Sequence, residues 1–181
     1  MRLFCEKCGD MREVSVIQKQ ESYPVKGEEI TIQADVCTCA ECGTEIMSIE
    51  YDDENLRRAY AIYRERHHLL KPEQIKAIRD FYEISQVSFA RMLGVGDKTI
   101  ARYENGSLQD ESINNLILLA KNPQNLWKLA ERKLDKIPAA DVERVKAKCR
   151  AECTLLTSYS TSSPFSAKCS ANNLTLAGLS A

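Results

Sequence analysis

Ile84-Ser85-Gln86-Val87-Ser88-Phe89-Ala90-Arg91-Met92-Leu93-Gly94-Val95-Gly96-Asp97-Lys98-Thr99-Ile100-Ala101-Arg102-Tyr103-Glu104-Asn105-Gly106 reads as two short helices joined by a tight turn. Ser85 is placed to cap the first helix, where its hydroxyl satisfies a free backbone amide. Ala90 is small where two helices cross, and Gly94 permits the left-handed backbone of a sharp helix end. In the second helix Ile100 faces inward. Lys98, Thr99 and Arg102 share the opposite face, because residues three and four apart lie about one turn from each other. That is the geometry of a helix that enters the major groove of DNA. Arg102 can donate two hydrogen bonds to a guanine, Lys98 can reach a base or a phosphate, and Thr99 can touch a base edge or a thymine methyl. Gln86 is placed to meet a phosphate or the first base, and Ser85 and Ser88 to contact the DNA backbone. These residues by themselves also describe an ordinary helical bundle with solvated Lys and Arg on its surface.

Working outward, Pro72 suits the first turn of a preceding helix whose Ile75, Ile78, Phe81 and Tyr82 fall on one side. Helices are predicted at 86–93, 97–105, 110–121 and 123–134, punctuated by Gly94, Gly96, Gly106 and Pro123. Residues 71–136 therefore form a compact all-helical domain with Phe89, Leu93, Ile100, Ile113, Leu116, Ile117 and Leu126 as its core. A further helix is predicted from Ala139 to Cys153. From Thr154 onward 11 of the last 28 residues are Ser or Thr and only Lys168 is charged, the composition of a disordered tail.

The pattern Ser-Gln-x-x-x-Ala-x-x-Leu-Gly-Val followed by Thr-Ile-x-Arg-Tyr-Glu-Asn-Gly, over 85–106, resembles the Cro/C1 or Xre helix-turn-helix. The resemblance implies binding to double-stranded DNA. It departs at Gly96, where that family often carries Ser to cap the recognition helix.

The N-terminal third has a different character. Cys5-Glu6-Lys7-Cys8-Gly9 and Cys39-Ala40-Glu41-Cys42-Gly43 are two Cys-x-x-Cys knuckles, each followed by a glycine that allows backbone amides to turn toward sulfur. Four thiolates around Zn²⁺ make a closed tetrahedral site, structural rather than catalytic. Thirty residues lie between Cys8 and Cys39. Within them Val14, Val16, Ile30, Ile32, Ala34 and Val36 alternate with polar residues, predicting an antiparallel hairpin with its turn at Pro24 to Gly27. A rubredoxin-like iron site uses the same two knuckles, with Tyr23 and Tyr51 the nearby rings here. Cys37 offers an alternative ligand beside Cys39; the symmetry of the knuckles favours Cys39 with Cys42. His67 and His68 are adjacent and point apart, which suits solvation or capping, and Cys149 and Cys153 have no evident partner pair. No open metal site or Ser/His/Asp set points to catalysis.

From Asp52 apolar residues Leu56, Ala59, Tyr60, Ile62 and Tyr63 recur at helical spacing, with Asp52 and Asp53 as caps. The expected organisation is two small domains: an N-terminal β-rich four-cysteine zinc module over 1–51 and a C-terminal all-α helix-turn-helix bundle over 71–136. A helical linker over 52–70 joins them, and 137–181 is a helical extension and tail. Residues 1–51 carry 5 basic and 10 acidic side chains, net −5, whereas 71–136 carry 11 and 9, net +2. DNA is repelled by the first part, so its site must be a local basic face of the second. No apolar run is long enough to span a bilayer and no signal-peptide core follows Met1, so the expected location is the cytoplasm, where thiols stay reduced and available to metal.

The combination of Cys5, Cys8, Cys39 and Cys42 with an Xre-like domain, over residues 1–135, resembles the MqsA-type antitoxins, or YgiT-type zinc finger proteins. That resemblance implies a homodimer, formed through the C-terminal domain, on a palindromic operator. It also implies repression of its own operon and a cognate protein toxin held by the zinc module. Lys98 and Arg102 take the base-reading positions, with Lys98 where the best-known members carry Asn. A zinc-containing Xre-family regulator without a toxin shares the same residues.

Overall fold

The computed structural model describes residues 1–159, with side chains through Ala151. Strands β1 (Arg2–Cys5), β2 (Asp10–Val25), β3 (Glu28–Cys39) and β4 (Glu45–Ile46) form an antiparallel sheet in the order β1-β2-β3-β4. Helices α1 (Ile49–Arg66), α2 (Pro72–Phe81), α3 (Gln86–Leu93), α4 (Thr99–Glu104), α5 (Glu111–Leu119), α6 (Pro123–Ala130) and α7 (Ala139–Tyr159) follow, with a 3₁₀ turn at Glu131–Lys136. The expected architecture, a β-rich four-cysteine module before an all-helical region, is what the chain adopts.

The hairpin turn is tighter than the composition suggests. Lys26 and Gly27 both take positive φ, 48° and 88°, the two-residue turn whose twist matches the flanking strands. Pro24 stays in β2 opposite Glu29. Alternation located the strands, but only β3 obeys it as a core pattern: Ile30, Ile32 and Ala34 are buried, whereas Val16 is 43% exposed. β2 reaches the core at its far end, through Val25 and the flank of Tyr23.

Helix α1 begins at Ile49, after Ser48 rather than at Asp52 and Asp53, and Asp52 lies in its first turn, where a carboxylate favours the helix dipole. The helix lies on β3, burying Ala59 and Tyr63 against Ile30, Ile32 and Ala34. The segment expected to link two domains is thus packed into the N-terminal core. His67 ends it, stacked on Tyr63 with ring centroids 4.1 Å apart and its Nε2 2.6 Å from a Glu28 carboxylate oxygen.

The second core gathers Ile75, Phe89, Leu93, Ile100, Ile117 and Leu126, as expected, with Ile113 and Leu116 packed at its margin. Tyr82 is fully buried and its hydroxyl donates to the Ala120 carbonyl at 2.6 Å, while Phe81 turns outward with half its surface exposed. Gly94 ends α3 with φ 83°. A Cβ there would meet the end of the Lys133 side chain, which can move aside, so it is the left-handed backbone that requires glycine. α7 packs on α6 and places Val142, Val145 and Cys149 in this core, which makes the extension part of the helical unit. It is helical to Tyr159, six residues into the stretch expected to be tail; the rest of that tail lies outside the described residues, as does the side chain of Cys153. Among the described residues no helix is long and apolar enough to cross a membrane.

The two cores meet at the α4–α5 loop. Leu108 inserts into the N-terminal core. Arg64 of α1, only 6% exposed, donates to the carbonyls of Gly106 and Ser107. Lys26 at the hairpin tip pairs with Asp110 and donates to the Gln109 carbonyl, and Gln109 in turn donates to Leu70 at 2.6 Å.

Candidate metal centre and nucleic-acid interface

The two knuckles close with matching geometry. Gly9 N–H donates to the Cys5 carbonyl and Gly43 N–H to the Cys39 carbonyl, each at 2.9 Å, and both glycines take positive φ, 67° and 69°. β1 pairs with the start of β2 and β3 with β4, so the folded hairpin carries one knuckle to the other. The sulfurs of Cys5, Cys8, Cys39 and Cys42 lie within 4.8 Å of one another. Cys5 Sγ is 3.5 Å from Cys42 Sγ, and Cys8 Sγ is 4.0 Å from Cys39 Sγ. A tetrahedron with Zn–S bonds near 2.3 Å requires sulfurs about 3.8 Å apart, so this set lies close to the spacing that a zinc-sized ion needs.

Cys37 lies outside the cluster. It is buried in β3 opposite Val16 and Ile46, on the same face as Cys39 but two residues, about 7 Å, further along the strand. His67, occupied by Glu28 and Tyr63, is also elsewhere. Thr44 is a contributor that motif reading missed. Its hydroxyl is 3.3 Å from Cys42 Sγ. Hydrogen bonds from that hydroxyl and from the Thr44 backbone pull the Cys42 thiol down to about 6. Its hydrogen bond with Cys42, and then burial, push the Cys8 thiol up to about 12. Cys42 therefore loses its proton more readily than Cys8, and a bound cation would displace the proton that Cys8 holds. A hydroxyl two residues after the second knuckle is the only sequence trace of this support.

At the helical end, α3 and α4 are held at their crossing by a charged network. Arg79 donates to both Glu104 oxygens at 2.7 and 3.0 Å, and Gln86 donates to Glu104 at 2.7 Å. Burial pushes the Glu104 carboxyl up, but the hydrogen bonds from Arg79 and Gln86 outweigh it and hold the group below its ordinary range. Gln86 thus braces α4 from the first residue of α3.

The residues predicted to face DNA divide. Lys98, at the N-cap of α4, and Arg102, one turn later, are exposed, and among the described residues neither side chain is engaged in a hydrogen bond or ion pair. Thr99 does not join them: it is 9% exposed, at the first position of the helix, with its amide bonded to the Gly96 carbonyl. Its inward turn follows from α4 starting two residues later than periodicity suggests. No side chain caps that start, in keeping with glycine rather than serine at 96. Ser85 is exposed and caps α3 through the Ser88 amide at 3.0 Å. Ser88 is 1% exposed, and its hydroxyl donates to Asp141 of α7 at 2.5 Å, so it is occupied inside the protein. Arg91 is likewise occupied, forked onto Asp97 at 3.1 and 2.8 Å.

The fold and site together define a two-module protein, a four-cysteine module clasped to a helical unit that presents two unengaged cations on one short helix. The model of the MqsA family, the antitoxin component of bacterial toxin-antitoxin systems, matches residues 3–130. The chain belongs to this antitoxin family. No curated protein matches it. The match ends at the last residue of α6, so α7 and its Ser88 contact lie beyond it.

Proposed function

We propose that the chain is the DNA-binding antitoxin of a type II toxin-antitoxin pair, acting in the cytoplasm. A homodimer binds a palindromic operator in double-stranded DNA through the helical unit and represses its own operon. The N-terminal module, folded around structural Zn²⁺, neutralises a cognate protein toxin. It works by binding, not by catalysis.

The observation that carries the DNA reading is the pair Lys98 and Arg102, exposed and unengaged on α4 while neighbouring charges are consumed in internal pairs. An arginine kept out of ion pairs retains its full set of donors for the edge of a guanine. Arg102 is assigned to a base and Lys98 to a base or phosphate. Ser85, and the amide hydrogen of Gln86 that Glu104 does not take, are assigned to phosphates at the head of α3. Thr99, being buried, is left out of the reading set. Phe81, Leu118 and Leu119 form exposed apolar surface on α2 and α5, which supports dimerisation through the helical unit. Zinc is supported over iron by the family, since four sulfurs can hold either ion, and elemental analysis of purified protein decides between them.

The test is competition binding to the promoter of the chain's own gene. Arg102→Ala is expected to reduce the preference for operator over random DNA by about 5- to 150-fold, the equivalent of losing one bidentate base contact. An unchanged preference overturns the assignment.

A further inference from the structure

The two long strands of the hairpin have outer edges, and the protein covers only one of them. In an antiparallel ladder every second residue turns its N–H and C=O away from its partner strand. On β3 Asp35 is such a residue. Its amide donates to Asn55 Oδ1 and its carbonyl accepts from Asn55 Nδ2, both at 2.9 Å, so one α1 side chain replaces a neighbouring strand. The next outward carbonyl, Gln33, accepts from Arg58 at 3.3 Å, and the next outward residue on the other side, Cys37, pairs with Ile46 of β4.

The register sets Cys37, Asp35, Gln33 and Thr31 opposite Val16, Gln18, Gln20 and Ser22 of β2, whose backbone groups therefore point outward on the far side. Val14 has the same phase, and its amide donates to the Met1 carbonyl at 3.2 Å, where cover from β1 ends. Pro24 has the same phase and offers no N–H, which closes the other end. Between these stops, among the described residues, no strand or side chain pairs the outward groups of Val16, Gln18, Gln20 and Ser22. The open stretch is about 20 Å long at the rise of an extended chain. Edges are commonly guarded by a lysine or a bulge. The lysine here, Lys19, is drawn onto Glu45 at 2.8 Å and Glu21 at 3.4 Å. Val16 and Ile17, on opposite faces, are each 43% exposed.

We propose that β2 from Val16 to Ser22 is the docking edge for the toxin, which adds an extended strand of its own beside it. Main-chain hydrogen bonds supply the affinity and flanking side chains the selectivity. The net charge of −5 over residues 1–51 opposes a second copy of this module at the edge and favours a basic strand. This inference rests on the reading that the chain holds a toxin.

The test is amide hydrogen exchange on the zinc-loaded full chain, alone and co-purified with the product of the adjacent reading frame. In the complex, exchange at Val16, Gln18, Gln20 and Ser22 is expected to slow at least tenfold. Ile17, Lys19 and Glu21, already bonded to β3, should stay unchanged. Gln20→Pro, which deletes one outward N–H, should weaken the complex at least tenfold while zinc content and operator binding are retained. A complex that forms with unaltered exchange at the four amides overturns the edge proposal and leaves the antitoxin reading standing. Failure to form any complex overturns both. Concentration-dependent slowing in the chain alone assigns the edge to a second copy and overturns the proposal.

Discussion

Glu104 shows how one residue ties function to stability. It accepts from Arg79 and Gln86 within a partly buried pocket, and its folded carboxyl is held below the ordinary range. A group depressed in this way stabilises the fold fully above its unfolded pKa, about 4.3, and loses that contribution as pH falls through the folded value. The melting temperature of the helical unit should accordingly drop below about pH 4.3. Glu104→Gln should lower stability at pH 7 by about 1–3 kcal/mol and flatten that acid slope, as thermal scans from pH 7 to 3 will show. At the other end, Cys5→Ser should eliminate stoichiometric metal and unfold the hairpin while most far-ultraviolet helical signal persists. A variant that retains one equivalent of metal contradicts the four-sulfur assignment. The four cysteines were legible from spacing, since two knuckles converge wherever a hairpin joins them. Thr99 was not, because its side follows from where α4 starts, which Gly96 and the packing of Ile100 decide.

Among the elements, the α3–α4 pair depends most on one position. Gly94 combines a left-handed backbone with close approach of Lys133 from the 3₁₀ turn. Gly94→Ala should destabilise the helical unit by about 1–2 kcal/mol from the backbone alone, measured by urea unfolding, with Lys133 forced to shift as well. The glycine is visible in the sequence as a helix end; the Lys133 contact, 39 residues on, is not. Strand periodicity located β2 and β3 but could not say which face of β2 is covered. The register pairs Val16 with Cys37, on the face opposite Ile30, Ile32 and Ala34, so α1 does not cover it and it stays exposed despite its alternation.

For the whole molecule, the decisive feature is the clasp of Arg64 and Lys26 on the loop after α4. Arg64 is buried, and burial lowers its pKa. Its hydrogen bonds to Gly106 and Ser107 therefore link the hairpin's helix directly to the element that carries Lys98 and Arg102. Arg64→Ala should cost about 1–3 kcal/mol. It should also split unfolding into two transitions, a chelator-sensitive one for the hairpin module and a chelator-insensitive one for the helices. Calorimetry with and without a chelator checks this, and one unaltered transition would show that the clasp does not couple the modules.

Local chemistry in the sequence determined the four-cysteine cluster, the order of strands and helices, and the family, because knuckle spacing, turn residues and helical periodicity act over a few residues. The tertiary structure alone decided which charges stay unengaged. Lys98 and Arg102 remain unengaged while Glu104, on the same helix, is claimed by Arg79 from 25 residues away. It alone also decided that α1 covers one sheet edge and leaves the other open. Such pairings join residues far apart in the chain, and no local pattern encodes which of several like charges will meet.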